Sequence, residues 1–184
     1  MKSFKLNVWL AALIVAALQT SALAYMIVER ASLLKNGREI VLDVRPVDPR
    51  SLFRGDYVIL SYGDISRLPK DLLESIPDRK KAMTAYVTLK KSSDGWQPSA
   101  VSARYPDKVA SDEVVLKGRF RNKWSGQIDY GIENFFVPEG EGKELEKLIR
   151  AGQLKAVLAA GGNGAIGLKA LEVEGQRRYD QPLY

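Results

Sequence analysis

The sequence contains neither cysteine nor histidine. Without cysteine there is no disulfide, no thiol nucleophile and no thiolate metal site. Without histidine, Ser-His-Asp catalysis, imidazole general-base catalysis and most zinc and copper sites are excluded. A hydrolase built from this chain would need a Ser–Lys pair or paired carboxylates. No metal site and no cofactor is expected. An excess of one charge sign is also small. The 28 Lys and Arg exceed the 22 Asp and Glu by six. That modest basic excess favours anionic headgroups or polymers over acidic partners. It is too small to call for nucleic acid.

What the 184 residues do have, first, is one long apolar run. Lys2 and Lys5 precede Leu6 to Val28, interrupted only by Asn7 and by Gln19-Thr20-Ser21. A bilayer is crossed by ~20 such residues. The lysines predict a cytoplasmic N-terminus, an inner-membrane span over residues 6–28 and an exported remainder. The alternative is a cleaved signal peptide, with Ala22-Leu23-Ala24 as the site and Tyr25 as the new N-terminus. The apolar run continues through Tyr25 to Val28, and helical spacing continues to Leu33-Leu34, with Asn36-Gly37 as the C-cap. This favours retention. The expected organisation is an anchor over residues 1–36 and one periplasmic domain over residues 37–184.

From Arg38 the period changes from helical to alternating. Ile40, Leu42 and Val44 share one face of a strand that runs to Arg45. Residues 64–79 read as a polar loop with a short helix at Leu72-Leu73. Met83, Ala85, Val87 and Leu89 alternate in a strand, Asp94-Gly95 makes a hairpin turn, and Trp96 to Tyr105 returns. Val114, Leu116 and Phe120 line one face of the next strand. A single strand is expected over Ile128 to Val137. Glu139 to Arg150 reads as a helix with a Leu145, Leu148, Ile149 stripe, closed by Gly152. Leu154 to Ala160 and Ala165 to Val173 form a final hairpin around Gly161-Gly162-Asn163-Gly164. The fold class expected is mainly β, a sandwich or partly open barrel of seven or eight strands with one clear helix.

The centre of the chain is Gly55-Asp56-Tyr57-Val58-Ile59-Leu60-Ser61-Tyr62, entered through Pro46-Val47-Asp48-Pro49-Arg50. Gly55-Asp56 is a turn, and a strand with large residues on both faces follows. These eight residues match, without a gap, the Gly-Asp-Tyr-x-x-Leu-x-Tyr signature of the GDYXXLXY protein family, which the chain resembles over most of its length. Tyr130-Gly131-Ile132-Glu133 and Phe136-Val137-Pro138-Glu139-Gly140 are similar to that family too. The resemblance implies a single-span bacterial envelope protein, encoded beside multi-pass membrane proteins. It implies no activity, because the family has none established.

The candidate binding residues are Arg50, Arg54, Asp56, Tyr57 and Tyr62 around the signature, and the stripe Lys117, Arg119, Arg121. For Tyr57, Leu60 and Tyr62 the competing use is core packing. For Arg50 and Arg54 it is an ion pair with Asp48 or Asp56. For the stripe it is a solvated strand face, or an edge guarded by charge. Gly161 to Gly164 lacks the Lys-Ser/Thr of a phosphate loop and reads as a hairpin turn.

An enzyme is the rival class. Leu52-Phe53-Arg54-Gly55-Asp56 is similar to a fragment of the signal peptidase I motif. Val47 stands where that motif has its serine. Ser51 is the nearby hydroxyl, and Lys90 or Lys91 would have to supply a desolvated base. Carboxylate chemistry by Asp43, Asp48 and Asp56 is the other variant. The reading preferred here is an envelope accessory domain that binds an integral membrane protein of multi-pass type. A third alternative is a module for anionic lipid or glycan.

Overall fold

In the computed structural model the described residues are 7–46, 57–74, 83–122, 126–136 and 142–180. Helix α1 spans Val8–Asn36, and the Asn7 side chain caps it by accepting from the Trp9 N–H at 3.1 Å. No side chain from Val8 to Val28 is buried. The helix is apolar all round and long enough to cross a membrane.

The domain starts at once. Only Gly37 separates α1 from β1 (Arg38–Asp43). Gly37 closes the helix as expected, its N–H donating to Leu33 O at 2.9 Å. Its backbone, however, is extended rather than left-handed. Glycine is required there for closeness: an added Cβ would lie 2.5 Å from Leu33 O and 3.1 Å from Ala159 Cβ.

Eleven strands occur among the described residues, arranged as a β-rich curled half-barrel. One sheet has the order β1-β9-β10-β11, with β9 (Leu154–Ala160), β10 (Ile166–Val173) and β11 (Gln176–Asp180). The second has β5 (Gly95–Ser102), β4 (Thr84–Ser92), β6 (Glu113–Asn122) and β7 (Gln127–Asp129) in that order. The third is small: β2 (Arg45–Pro46), β3 (Tyr57–Ser61) and β8 (Asn134–Phe136). All pairings are antiparallel. The hairpins at Asp94-Gly95 and at residues 161–165 form where the turn residues predict them.

Three differences account for the extra strands. The Arg38 to Arg45 strand changes sheets at Val44, whose N–H donates to Leu154 O at 3.3 Å. The Ile128 to Val137 strand breaks at a corner. Gly131 has φ +75°, the Tyr130 N–H donates to Glu133 Oε1 at 2.5 Å, and the Gly131 N–H donates to Asp129 Oδ1 at 3.2 Å. Those amides are thereby withdrawn from a ladder. Finally, β11 follows a Glu174-Gly175 turn in which both residues have positive φ. Its polar run lacks the apolar alternation that marks a half-buried strand.

Helix α2 (Lys70–Glu74) is the short helix expected at Leu72-Leu73. Helix α3 (Gly142–Arg150) buries Leu145 and Ile149, leaves Leu148 half-buried, and ends at Gly152 with φ +69°. The expected start of that helix at Glu139 lies outside the described residues. One core joins all three sheets with α2 and α3. It includes Ile40, Leu60, Leu89, Leu116, Leu145 and Leu158.

Strand β9 is buried on both faces. Leu154, Ala156, Leu158 and Ala160 point into that core. Ala159 points the other way, where the last turns of α1 lie. Leu34 is buried there at 2% exposure, and Arg30 Nη1 donates to Ile166 O at 3.3 Å. A Cβ at Gly167 would lie 2.9 Å from Leu34 Cδ2 and 2.7 Å from Arg30 Nη1. Small residues thus make the seat on which the helix rests.

Candidate functional site

Strand β3 carries the Tyr57 to Ser61 part of the signature and is the middle strand of its sheet. Its register sets Tyr57 opposite Phe136, and Leu60 opposite Pro46. Leu60 is buried in the core, and its N–H donates to Glu133 O at 2.7 Å. Tyr62 is 3% exposed. Its hydroxyl donates to Ile132 O at 2.6 Å, while the hydroxyl of Tyr130 donates to Ile65 O at 2.9 Å. The two tyrosines therefore bind each other's segments reciprocally. Burial pushes both phenols far above their ordinary range, so they act as neutral donors.

Glycines admit this arrangement. Gly63 has φ +60°, and a Cβ there would lie 2.9 Å from Arg45 Nε. Gly118 on β6 lies under the Tyr130 ring, and a Cβ there would overlap Ile128. Glu133 sits at the corner between β7 and β8. Burial holds its carboxyl above the usual range, and a hydrogen bond with the Asp129 carboxyl acts in the same direction.

A polar cleft of about 170 Å³ opens beside Tyr62 and Gly63, between β1–β2 and the β4–β5 hairpin. Asp43, Arg45, Asp94 and Trp96 line it. A space of this size suits water or one small polar group better than a substrate.

The basic stripe is partly described. Lys117 and Arg119 are exposed on β6. That strand lies between β4 and β7, so the stripe does not guard an edge. Arg119 stands across from Asp129, which puts a carboxylate on the same face. The Lys117 N–H donates to Gly164 O at 2.8 Å, so Lys117 adjoins the β9–β10 turn. The Arg121 side chain, the Tyr57 side chain, and Arg50, Arg54 and Asp56 lie outside what is described. So does Ser51. Lys90 is 59% exposed and pairs with Asp112 at 3.7 Å. That is the reverse of the desolvated amine a Ser–Lys pair requires.

The sequence model of the GDYXXLXY protein family matches residues 19–171, from within α1 to the end of the β10 core. The chain belongs to the GDYXXLXY protein family. No curated protein and no solved structure matches it significantly. In this GDYXXLXY protein the Leu60 and Tyr62 of the signature are fold residues, held by Ile132 and Glu133 of the second motif. Sequence reading missed the Tyr130–Ile65 bond and the Glu133 corner. The closeness of the two motifs to the family pattern was the available signal for their contact.

Proposed function

We propose that this GDYXXLXY protein is a membrane-anchored accessory domain that docks an integral membrane protein of multi-pass type from the periplasmic side. The observation that carries the reading is the seat of α1. Its last turns rest on β9 and β10, and only Gly37 lies between helix and sheet. A domain joined to an apolar helix by one residue cannot reach far from the bilayer. Its partners are then other occupants of the same membrane. The docking continuity also bears on processing. Ala22-Leu23-Ala24 lies inside α1, and the apolar run continues past it to Val28, which supports retention over release at Tyr25.

The docking residues are Arg50, Arg54 and Tyr57, with Lys117, Arg119 and Arg121 as a second basic face. Ion pairs between such residues and a partner's acidic loops steer association and weaken with salt. In-cell crosslinking followed by mass spectrometry tests this. A multi-pass protein should copurify with the full chain. Arg50→Glu with Arg54→Glu should remove it, with circular dichroism unchanged. Retention of the same partner by the reversed protein would exclude the signature loop as the docking site.

A further inference from the structure

The seat of α1 fixes which way the apolar part of the helix faces. Arg30 and Leu34 point at β9 and β10: Arg30 Nη1 donates to Ile166 O at 3.3 Å, and Leu34 is buried. Roughly eighteen residues make five helical turns, so Ala12 and Ala16 lie on the same face as Arg30 and Leu34. Leu23 shares that face at i−7 from Arg30, and Gln19 lies within about 20° of Arg30 around the axis. This face overhangs the domain. We infer that it packs, inside the bilayer, against a membrane-spanning helix of another protein, one that ends at the bilayer surface and offers a hydrogen-bonding side chain to Gln19. The inference rests on α1 being a membrane anchor and does not depend on Arg50 or Arg54.

Gln19 is what calls for a neighbour. Apart from Trp9 and Tyr25, which suit the two interfaces, the polar side chains from Val8 to Val28 are Gln19, Thr20 and Ser21. Serine and threonine hydroxyls can bond the carbonyl four residues back, within their own helix. A glutamine amide has two N–H donors and a carbonyl acceptor, more than a helix surface satisfies. Gln19 lies ~16 Å along the axis from Val8 and ~13 Å from Val28, close to the middle of a hydrocarbon layer ~30 Å thick. It is exposed there and makes no hydrogen bond among the described residues. An amide left unpaired in hydrocarbon is costly, and a polar side chain on an adjacent helix can pair it. Ala12 and Ala16 on the same face let that helix approach closely.

The seat also selects the occupant. A second α1 packed on this face in the same orientation would lie ~8–10 Å away. Helix α1 continues to Asn36, so the last turns of that second copy would run into β9 and β10, on which the first is seated. A helix that stops at the bilayer surface meets no such obstacle.

The chain has no cysteine, so one can be introduced at a chosen point. Full-length Ala16→Cys and Ser21→Cys proteins are reconstituted in phosphatidylcholine vesicles. Ser21, nine residues before Arg30, lies on the opposite face of α1. Each is mildly oxidised with one of two synthetic helices that end at the bilayer surface and carry a central cysteine: polyleucine with one central glutamine, and polyleucine without it. Ala16→Cys should form the mixed disulfide about tenfold more with the glutamine helix. Adding Gln19→Leu should remove that preference, and Ser21→Cys should show none. Equal reaction of Ala16→Cys with both helices, a preference that survives Gln19→Leu, or the same preference at Ser21→Cys would overturn the inference. So would a predominance of disulfides between two Ala16→Cys chains, which would give the face to a second copy. Anchoring is read separately by carbonate extraction, and the docking loop by copurification of the Arg50→Glu, Arg54→Glu protein, so failure of one reading does not imitate failure of another.

Discussion

Tyr62 ends the signature and spends its hydroxyl inside the protein, on Ile132 O at 2.6 Å. Tyr62→Phe keeps the ring and leaves that carbonyl without its partner. It should cost about 1–2 kcal/mol, read as an earlier urea midpoint at unchanged m-value. Gly118→Ala should cost about 1–3 kcal/mol, because the methyl meets Ile128 and the Tyr130 ring on a β-sheet backbone that cannot yield. Two glutamates should give stability slopes of opposite sign with pH. Glu133 is raised, first by burial. The folded state then holds its proton longer than the unfolded chain. Stability should fall as pH rises from about 4.3 towards the raised value, and the loss persists above it. Glu39 is lowered, first by its hydrogen bond from Lys169 at 2.6 Å, with Arg177 also at 2.6 Å. Its contribution is present above the ordinary carboxyl range and is lost as pH falls through the lowered value. Glu133→Gln keeps an oxygen for the Tyr130 N–H and should flatten the first slope only, as measured by melting temperature between pH 4 and 8.

Among the elements, α1 and its seat are the part that a pattern reading resolves least. Val8 to Asn36 reads as a helix from its apolar run and helical spacing, and Gly37 reads as its stop. Nothing in the period of the sequence says that Gly167, Gly161 and Ala159 form the surface beneath it. Those residues are small because a helix passes over them, and a strand of small residues looks the same when it faces water. Gly167→Val should therefore loosen α1 from β10 by displacing Leu34 and Arg30. Hydrogen exchange at residues 30–36 should rise, while exchange in β4 and β6 stays unchanged. The strands β4 and β6 were legible because their apolar residues alternate, and β10 was legible through the hairpin turn that precedes it. The corner at Tyr130 to Glu133 was not, because its cause is two side-chain bonds to backbone N–H groups and a positive φ at Gly131. The candidate site was legible as a motif and less so in its use. The residue types of the signature favour core packing over binding for Tyr62, and its burial agrees with that use.

At the scale of the whole molecule, one continuous helix joins a half-barrel through a single residue, and the proposed anchoring would hold the domain at the surface on which that helix ends. The proposed anchor and the proposed docking surface near the bilayer both depend on the helix being kept. The most direct measurement is the intact mass of the protein recovered from carbonate-washed membranes of cells expressing the full chain. The account predicts a membrane-retained species with the mass of the whole 20.4 kDa chain, Met1 processing aside. A soluble species that begins at Tyr25 would contradict it.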